Sequence, residues 1–239
     1  MEQQMDIITR EIPSKGKGYL VVRRCAPEEV YALVGRGAAE LLAQGAAEIY
    51  AASRDASAPL EEGSHGGYRL EAAHDMLGMD RALDGDRPRP RGRLTLEPLT
   101  REKGGLFLGI YNESFYAVPN SATYGPEELD EILGEQYRCG FALLDGTPVG
   151  IYECGFKKEH PEIGSIGLTK SARGKGLGRE LLLSVMDMLA DMGCKRCWLQ
   201  ASTANESAYP LYLSVGFARE SLLSRWFAVK AEGDLRGAL

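Results

Sequence analysis

The stretch from Ile166 to Leu182 constrains this chain more than any other feature. Ile166-Gly167-Leu168 is apolar, Arg173-Gly174-Lys175-Gly176-Leu177-Gly178-Arg179 is rich in glycine and cations, and Glu180-Leu181-Leu182 opens an amphipathic run. Strand, tight turn and helix are thus written consecutively. A helix start leaves its first backbone N–H groups unpaired, and the helix dipole places positive potential there. Glycines let the backbone approach a ligand closely, and Arg173, Lys175 and Arg179 add charge. Such a point binds phosphate.

Two common phosphate loops are excluded by position. A Walker A loop ending at Gly174-Lys175 requires glycine at position 169, which is Thr169, and a Rossmann fingerprint starting at Gly174 requires glycine at 179, which is Arg179. What remains is Arg-x-x-Gly-x-Gly after a strand, carried by Arg173, Gly176 and Gly178. Farther on, Asn205, Ala208, Leu211, Tyr212, Gly216 and Phe217 stand in Asn-x-x-Ala-x-x-Leu-Tyr-x-x-x-Gly-Phe order, with the apolar Cys197-Trp198-Leu199-Gln200-Ala201 between the two motifs. Together these resemble the two cofactor motifs of the GCN5-related N-acetyltransferase (GNAT) superfamily. The resemblance implies an α/β (α+β) fold: a mixed, mostly antiparallel central sheet flanked by helices, with acetyl-CoA as co-substrate.

Composition agrees with a globular enzyme. The chain has 239 residues, 44% hydrophobic and 26% charged, enough for one large or two small domains. A formal net charge of −6 argues against nucleic acid as a partner, which would need a basic face. No apolar run approaches the ~18 residues of a membrane span, and Met1-Glu2-Gln3-Gln4-Met5-Asp6 lacks the basic and apolar regions of a signal peptide. The expected location is the cytoplasm. Cysteines at 25, 139, 154, 194 and 197 do not form a disulfide framework. Cys194 and Cys197 make a lone C-x-x-C without a second pair or a nearby histidine, so no metal is expected.

Asp84-Gly85-Asp86-Arg87-Pro88-Arg89-Pro90-Arg91-Gly92 reads as a linker, dividing an N-terminal α/β region (1–92) from an acetyltransferase-like domain (93–239). In the latter, strands are expected near 93–99, 138–145, 148–157, 162–169 and 195–201, and strand material runs on to 230. Helices are expected near 101–116, 126–136, 177–192 and 206–215. Leu177, Leu181, Val185, Met188 and Leu189 form a core stripe on the third helix, which Gly193 ends. Asp145-Gly146 marks a hairpin. In the N-terminal region, Tyr19-Leu20-Val21-Val22 and Glu48-Ile49-Tyr50-Ala51 read as strands around a helix from Pro27 to Gln44-Gly45. Gly45, Ile49, Ala51 and Ser53 echo Gly193, Cys197, Leu199 and Ala201, and Gly67-Tyr68-x-x-Glu71 echoes Gly216-Phe217-x-x-Glu220. The region reads either as a degenerate partial copy of the same fold, without the phosphate loop, or as an unrelated α/β extension.

The resemblance also distributes roles. The backbone of Gly174, Lys175, Gly176, Leu177, Gly178 and Arg179 would hold the pyrophosphate, with the Arg173, Lys175 and Arg179 side chains nearby, not all of them needing to touch it. The Leu168 N–H would lie near the acetyl carbonyl, where the strand splays from its neighbour. Asn205 would contact the pantetheine arm or cap the following helix. Tyr212 would protonate the departing thiolate, since a phenol with a pKa near 10 can deliver a proton to a thiolate. Pro210 would make that last helix start late or bend. The acceptor base is open among Glu153, Glu162 and Glu113, or a water chain. The implied reaction is direct acetyl transfer to a primary amine of a small molecule or peptide in a ternary complex. Two alternatives stay open: a CoA-binding regulatory or scaffold protein, and an acyltransferase using a longer acyl group or an oxygen acceptor. No motif marks the acceptor, the acyl length or the oligomeric state.

Overall fold

The computed structural model describes residues 4–85 and 87–232, the side chains of Arg219 and Glu220 excepted. Met1–Gln3 of the N-terminal stretch, Asp86 of the linker, the Glu220 side chain of the internal echo and residues 233–239 therefore lie outside the described residues.

Two compact units emerge, Met1–Met76 with Leu222–Leu239 and Leu77–Ser221. The first contains β1 (Met5–Ile8), α1 (Ile12–Lys15), β2 (Lys17–Val22), α2 (Val30–Ala43), β3 (Glu48–Ser53), β4 (Gly63–Ser64) and the start of β5 (Tyr68–Ala82). β1 runs antiparallel to β2, and β2 runs parallel to β3 over its whole length, from Lys17 opposite Glu48 to Val22 opposite Ser53. The parallel pair is closed by α2, whose Val30, Leu33, Val34, Ala38 and Leu41 are buried with Leu20, Val22, Ile49 and Ala51. Each such leucine or valine contributes about 1.5–3 kcal/mol by leaving water.

The second unit holds the end of β5, then β6 (Thr95–Pro98), α3 (Gly104–Phe115), α4 (Pro126–Ile132), β7 (Tyr137–Leu144), β8 (Thr147–Gly155), β9 (Glu162–Leu168), α5 (Leu177–Asp191), β10 (Arg196–Ser202), α6 (Ala208–Ser214) and the start of β11 (Ala218–Ala231). β6 through β9 form antiparallel neighbours, and β10 joins β9 in parallel. Asp145 and Gly146 both have positive φ, at 50° and 77°, and so turn the β7–β8 chain back as a tight hairpin. On one sheet face α5 buries Leu177, Leu181, Val185 and Leu189, with Met188 half-buried. On the other face α3 and α4 cover Phe141 and Ile151 with Phe107, Ile110, Tyr111 and Ile132.

Most expected elements stand within a few residues of their sequence-based bounds. α4 is shorter than the expected 126–136, ending at Ile132 before Gly134 turns the chain toward β7. β1, α1 and β5 had no sequence counterpart, and β5 is a strand of 15 residues. From residue 87 to 92 the linker stretch carries neither helix nor strand, but it is tied to α5: Arg87 and Arg89 both reach Asp187, the latter at 3.0 Å. The compact units divide the chain inside β5 and β11 rather than at this stretch.

Candidate functional site: a glycine loop at a parted strand pair

β9 and β10 pair only at Glu162 opposite Trp198, and no ladder pair joins them farther on among the described residues. The strands therefore part toward Leu168, at the mouth of the glycine loop. Thr169 leads into a short 3-10 turn, Lys170–Ala172, which the Glu113 carboxylate caps by accepting the Lys170 N–H at 3.1 Å. Gly174 and Gly176 both take φ of +73°, the left-handed region that costs other residues about 1–2 kcal/mol. The backbone N–H groups of Gly174 through Arg179 find no backbone acceptor among the described residues. Left-handed glycines, unpaired donors and the start of α5 converge at one place.

Each expected residue can be located around this loop. The Leu168 carbonyl accepts from Ser114 Oγ and Arg173 Nε, both at 3.1 Å. Arg173 is therefore folded back on the strand end rather than extended from the loop. Lys175 and Arg179 are exposed. A side chain at Gly178 would touch Leu211 of α6 and Leu168 at 3.7 and 3.8 Å, so the loop, strand end and α6 meet there. Asn205 caps α6, its Oδ1 accepting the Ala208 N–H at 3.1 Å. Pro210 falls in the helix's first turn, where its missing N–H costs nothing, and the helix begins only at Ala208. Tyr212 lies against Phe217, and burial pushes its phenol up to about 12.

The candidate bases separate clearly. Glu153 on β8 is buried on the α3–α4 face, 6% exposed. Tyr124 donates to it at 3.4 Å and Ser165, opposite it on β9, at 3.5 Å. Burial pushes the Glu153 carboxyl up, to about 7; these two bonds lower it and the Glu162 charge raises it further. Glu162 itself accepts from Gln200 at 2.9 Å and pairs with Lys158 at 3.7 Å. The sequence therefore named Glu153 but not its partners Tyr124 and Ser165, which no motif marks. Tyr124 belongs to an aromatic group, stacking on Tyr111 at 3.7 Å, with Phe115 stacked on Tyr111 at 4.7 Å. Among the described residues no three His, Cys, Asp or Glu side chains gather as a metal would require, and no helix is long and apolar enough to cross a membrane. Cys197 lies in the β10 core, where burial pushes its thiol up to about 12.

A mixed sheet with a parted parallel pair and a glycine loop feeding a helix defines an α/β domain built around a turn with free backbone donors. Residues 107–217 match the model of the acetyltransferase (GNAT) family. That segment is a GNAT-family domain within the chain. It is 32% identical over 93 residues to a mycothiol acetyltransferase of Renibacterium salmoninarum, covering 39% of this chain and 25% of that protein. It is 31% identical over 122 residues to an uncharacterized N-acetyltransferase, YjgM, of Escherichia coli K12, covering 50% of this chain and 66% of that one. In structure it resembles a GCN5-related N-acetyltransferase from Sphaerobacter thermophilus, with a TM-score of 0.62 at 16% identity, over 94% of this chain and 74% of that chain. The chain spans a quarter to about two thirds of the length of these curated relatives.

Proposed function

We propose that the second unit transfers an acetyl group from acetyl-CoA to a primary amine by direct attack in a ternary complex. The observation that carries this reading is the left-handed loop at Gly174 and Gly176, set where β9 and β10 part. The unpaired N–H groups of Gly174–Arg179 receive the pyrophosphate, and the pantetheine arm enters the parted pair, pairing with β9 backbone near Leu168. Asn205 serves as a cap, which leaves its amide nitrogen for the arm. Tyr212 gives its proton to the sulfur as the C–S bond breaks; a phenol raised to about 12 stays protonated at neutral pH and so can donate. The amine nitrogen forms the new C–N bond and loses its proton to Glu153, directly or through water. Glu153 is favoured over Glu162 because it is buried beside Tyr124, has a pKa near neutrality and faces the α3–α4 side. Glu162 is held by Gln200 and Lys158.

The first unit fits a partial copy of β9–α5–β10 that lacks the cofactor loop. One constant offset in residue number carries Gly45 onto Gly193, and α2 and β3 onto α5 and β10 to within one residue. An experimental structure in which 17–53 does not superpose on 162–202 would end this part of the reading.

Thiol release from acetyl-CoA across a panel of amines, polyamines, amino acids and peptide N-termini tests the transfer. Turnover with at least one amine, falling 10- to 100-fold in Tyr212→Phe at unchanged KM for acetyl-CoA, is expected. CoA binding without turnover on any amine would favour the regulatory reading. Absence of CoA binding would overturn both.

A further inference from the structure

The basic stretch before β6 does more than connect. Its side chains and backbone are tied to α5 at two levels. Arg87, 6% exposed, donates its Nε to the Leu83 carbonyl at 3.0 Å and pairs with Asp187, as Arg89 also does. About two helical turns toward the loop, the Glu180 carboxylate accepts the Arg93 backbone N–H at 3.0 Å. Burial pulls the Glu180 carboxyl upward, but the N–H groups of Arg91, Arg93 and Gly92 and the Arg93 charge outweigh it and hold it below the usual range. Residues 87–93 therefore lie as a strap along α5, and its last residue stands beside the glycine loop. There the Arg93 guanidinium donates to the carbonyls of Lys175 and Gly176, both at 3.4 Å.

We infer that Arg93 is a positioning residue for the loop, holding its peptides so that their N–H groups face the ligand. The reason lies in peptide geometry. A trans peptide is planar, and its C=O and N–H point in opposite directions. The Lys175 carbonyl shares a peptide with the Gly176 N–H, and the Gly176 carbonyl shares one with the Leu177 N–H. A guanidinium fork gripping both carbonyls turns both N–H groups the other way. Gly176 has no side chain to fix those planes, and a Cβ placed there would meet Arg93 Nη2 at 3.6 Å. The rigid fork spans two acceptors where a lysine ammonium is a single point of charge. Arg93 is itself anchored from behind by Glu180, so the arrangement exists before any ligand arrives and lowers the ordering cost of binding. The ligand named for this loop rests on the acetyl-CoA reading; the ordering of the loop does not.

Arg93→Ala and Arg93→Lys in the full chain test this by two readouts. Backbone 15N order parameters at Gly174, Gly176 and Gly178 are expected to fall from about 0.85 to below about 0.6 in the alanine variant and to an intermediate value in the lysine variant. Unchanged order parameters overturn the inference. If the alanine variant fails to fold, the lysine variant decides on the same criterion. In kinetics, kcat/KM for acetyl-CoA is expected to drop about tenfold while that for S-acetyl-pantetheine, which lacks the pyrophosphate, is unchanged. An equal fall for both substrates means general damage and overturns the assignment. A wild-type protein that does not bind CoA sinks the proposed function, and the order parameters then decide Arg93 alone.

Discussion

In the first unit β2 and β3 stay paired from Lys17 opposite Glu48 to Val22 opposite Ser53, whereas in the second β9 and β10 pair at Glu162 opposite Trp198 alone. Both pairs are parallel, and each is bridged by one helix of similar length, α2 or α5. The turns that follow the first strand also differ. Arg23 to Glu29 contains no glycine, while Thr169 to Gly176 contains two in the left-handed region. The first turn is closed by an acid from the loop after β3: Asp55 accepts the Cys25 N–H at 3.1 Å, and also the Ser57 N–H at 2.9 Å and Ser57 Oγ at 2.6 Å. An open cavity of about 690 Å³ lies there, and Arg23 on its wall is likewise engaged, by Asp6. The second turn leaves the N–H groups of Gly174, Lys175 and Gly176 without a backbone acceptor among the described residues. A shared strand–helix–strand frame thus yields opposite outcomes, one turn tied by a side chain from the loop after β3 and one with free N–H groups at its glycines. What separates them is backbone freedom at two glycines and the parting of one strand pair.

The largest expected effect comes from Gly176→Val. A β-branched residue at φ +73° must rotate out of the left-handed region, turning the loop's N–H groups away. CoA affinity by calorimetry should fall at least about 100-fold with a melting temperature only a few degrees lower. Pro27→Gly, which loosens the first unit's turn, should leave CoA affinity unchanged. Wild-type affinity in Gly176→Val would break the comparison outright.

The next effect concerns Glu153 on β8 of the second unit. Glu153→Gln should lower turnover about 10- to 100-fold and remove the loss of activity as pH falls through about 7. Stability should shift the opposite way. The folded pKa is raised, so between the ordinary glutamate value and about 7 the native state holds a proton that the unfolded chain has released. Wild-type stability therefore falls as pH rises across that window and levels off above it, by an amount on the order of 3 kcal/mol. Glutamine removes that slope. Denaturant titrations at pH 5 and pH 8 that show the same slope in both proteins would contradict the buried acid.

Asp55→Asn should have the smallest effect. Its carboxyl is held below the usual range by the Ser57 side chain, the Ser57 N–H and the Cys25 N–H. Its stabilisation is present at neutral pH and is lost as pH falls through the folded value. The variant should melt slightly lower than wild type at pH 7, with the gap closing in acid and CoA affinity unchanged. A loss of CoA affinity would tie the first unit to cofactor binding and blur the distinction between the two turns.

Legibility in the sequence followed the range of the interactions concerned. The α5 stripe, the Asp145-Gly146 hairpin and the glycine loop were readable because each depends on residues within one or two turns of chain. The β5 strand was not. Tyr68–Ala82 contains no valine, isoleucine or threonine and is rich in alanine, leucine, methionine and arginine, residues that prefer helices. It becomes a strand because pairing partners distant in sequence satisfy its backbone. The 84–92 stretch read as a linker for the same reason: nothing local indicates that Asp187 and Glu180 will bind it.

By itself the sequence determined where glycine permits a left-handed turn, which helix follows it and which tyrosine and asparagine lie in the second motif, because these are properties of covalent geometry and short-range spacing. Only the tertiary structure decided which glutamate is raised toward neutrality. Glu153 and Glu162 are equivalent as letters, but one is desolvated beside Tyr124 while the other keeps Gln200, Lys158 and water. Only the tertiary structure, too, parted β9 from β10 while keeping β2 and β3 together, and brought Arg93 to the back of the loop. Desolvation, strand divergence and the grip of a guanidinium on two carbonyls all depend on which surfaces meet.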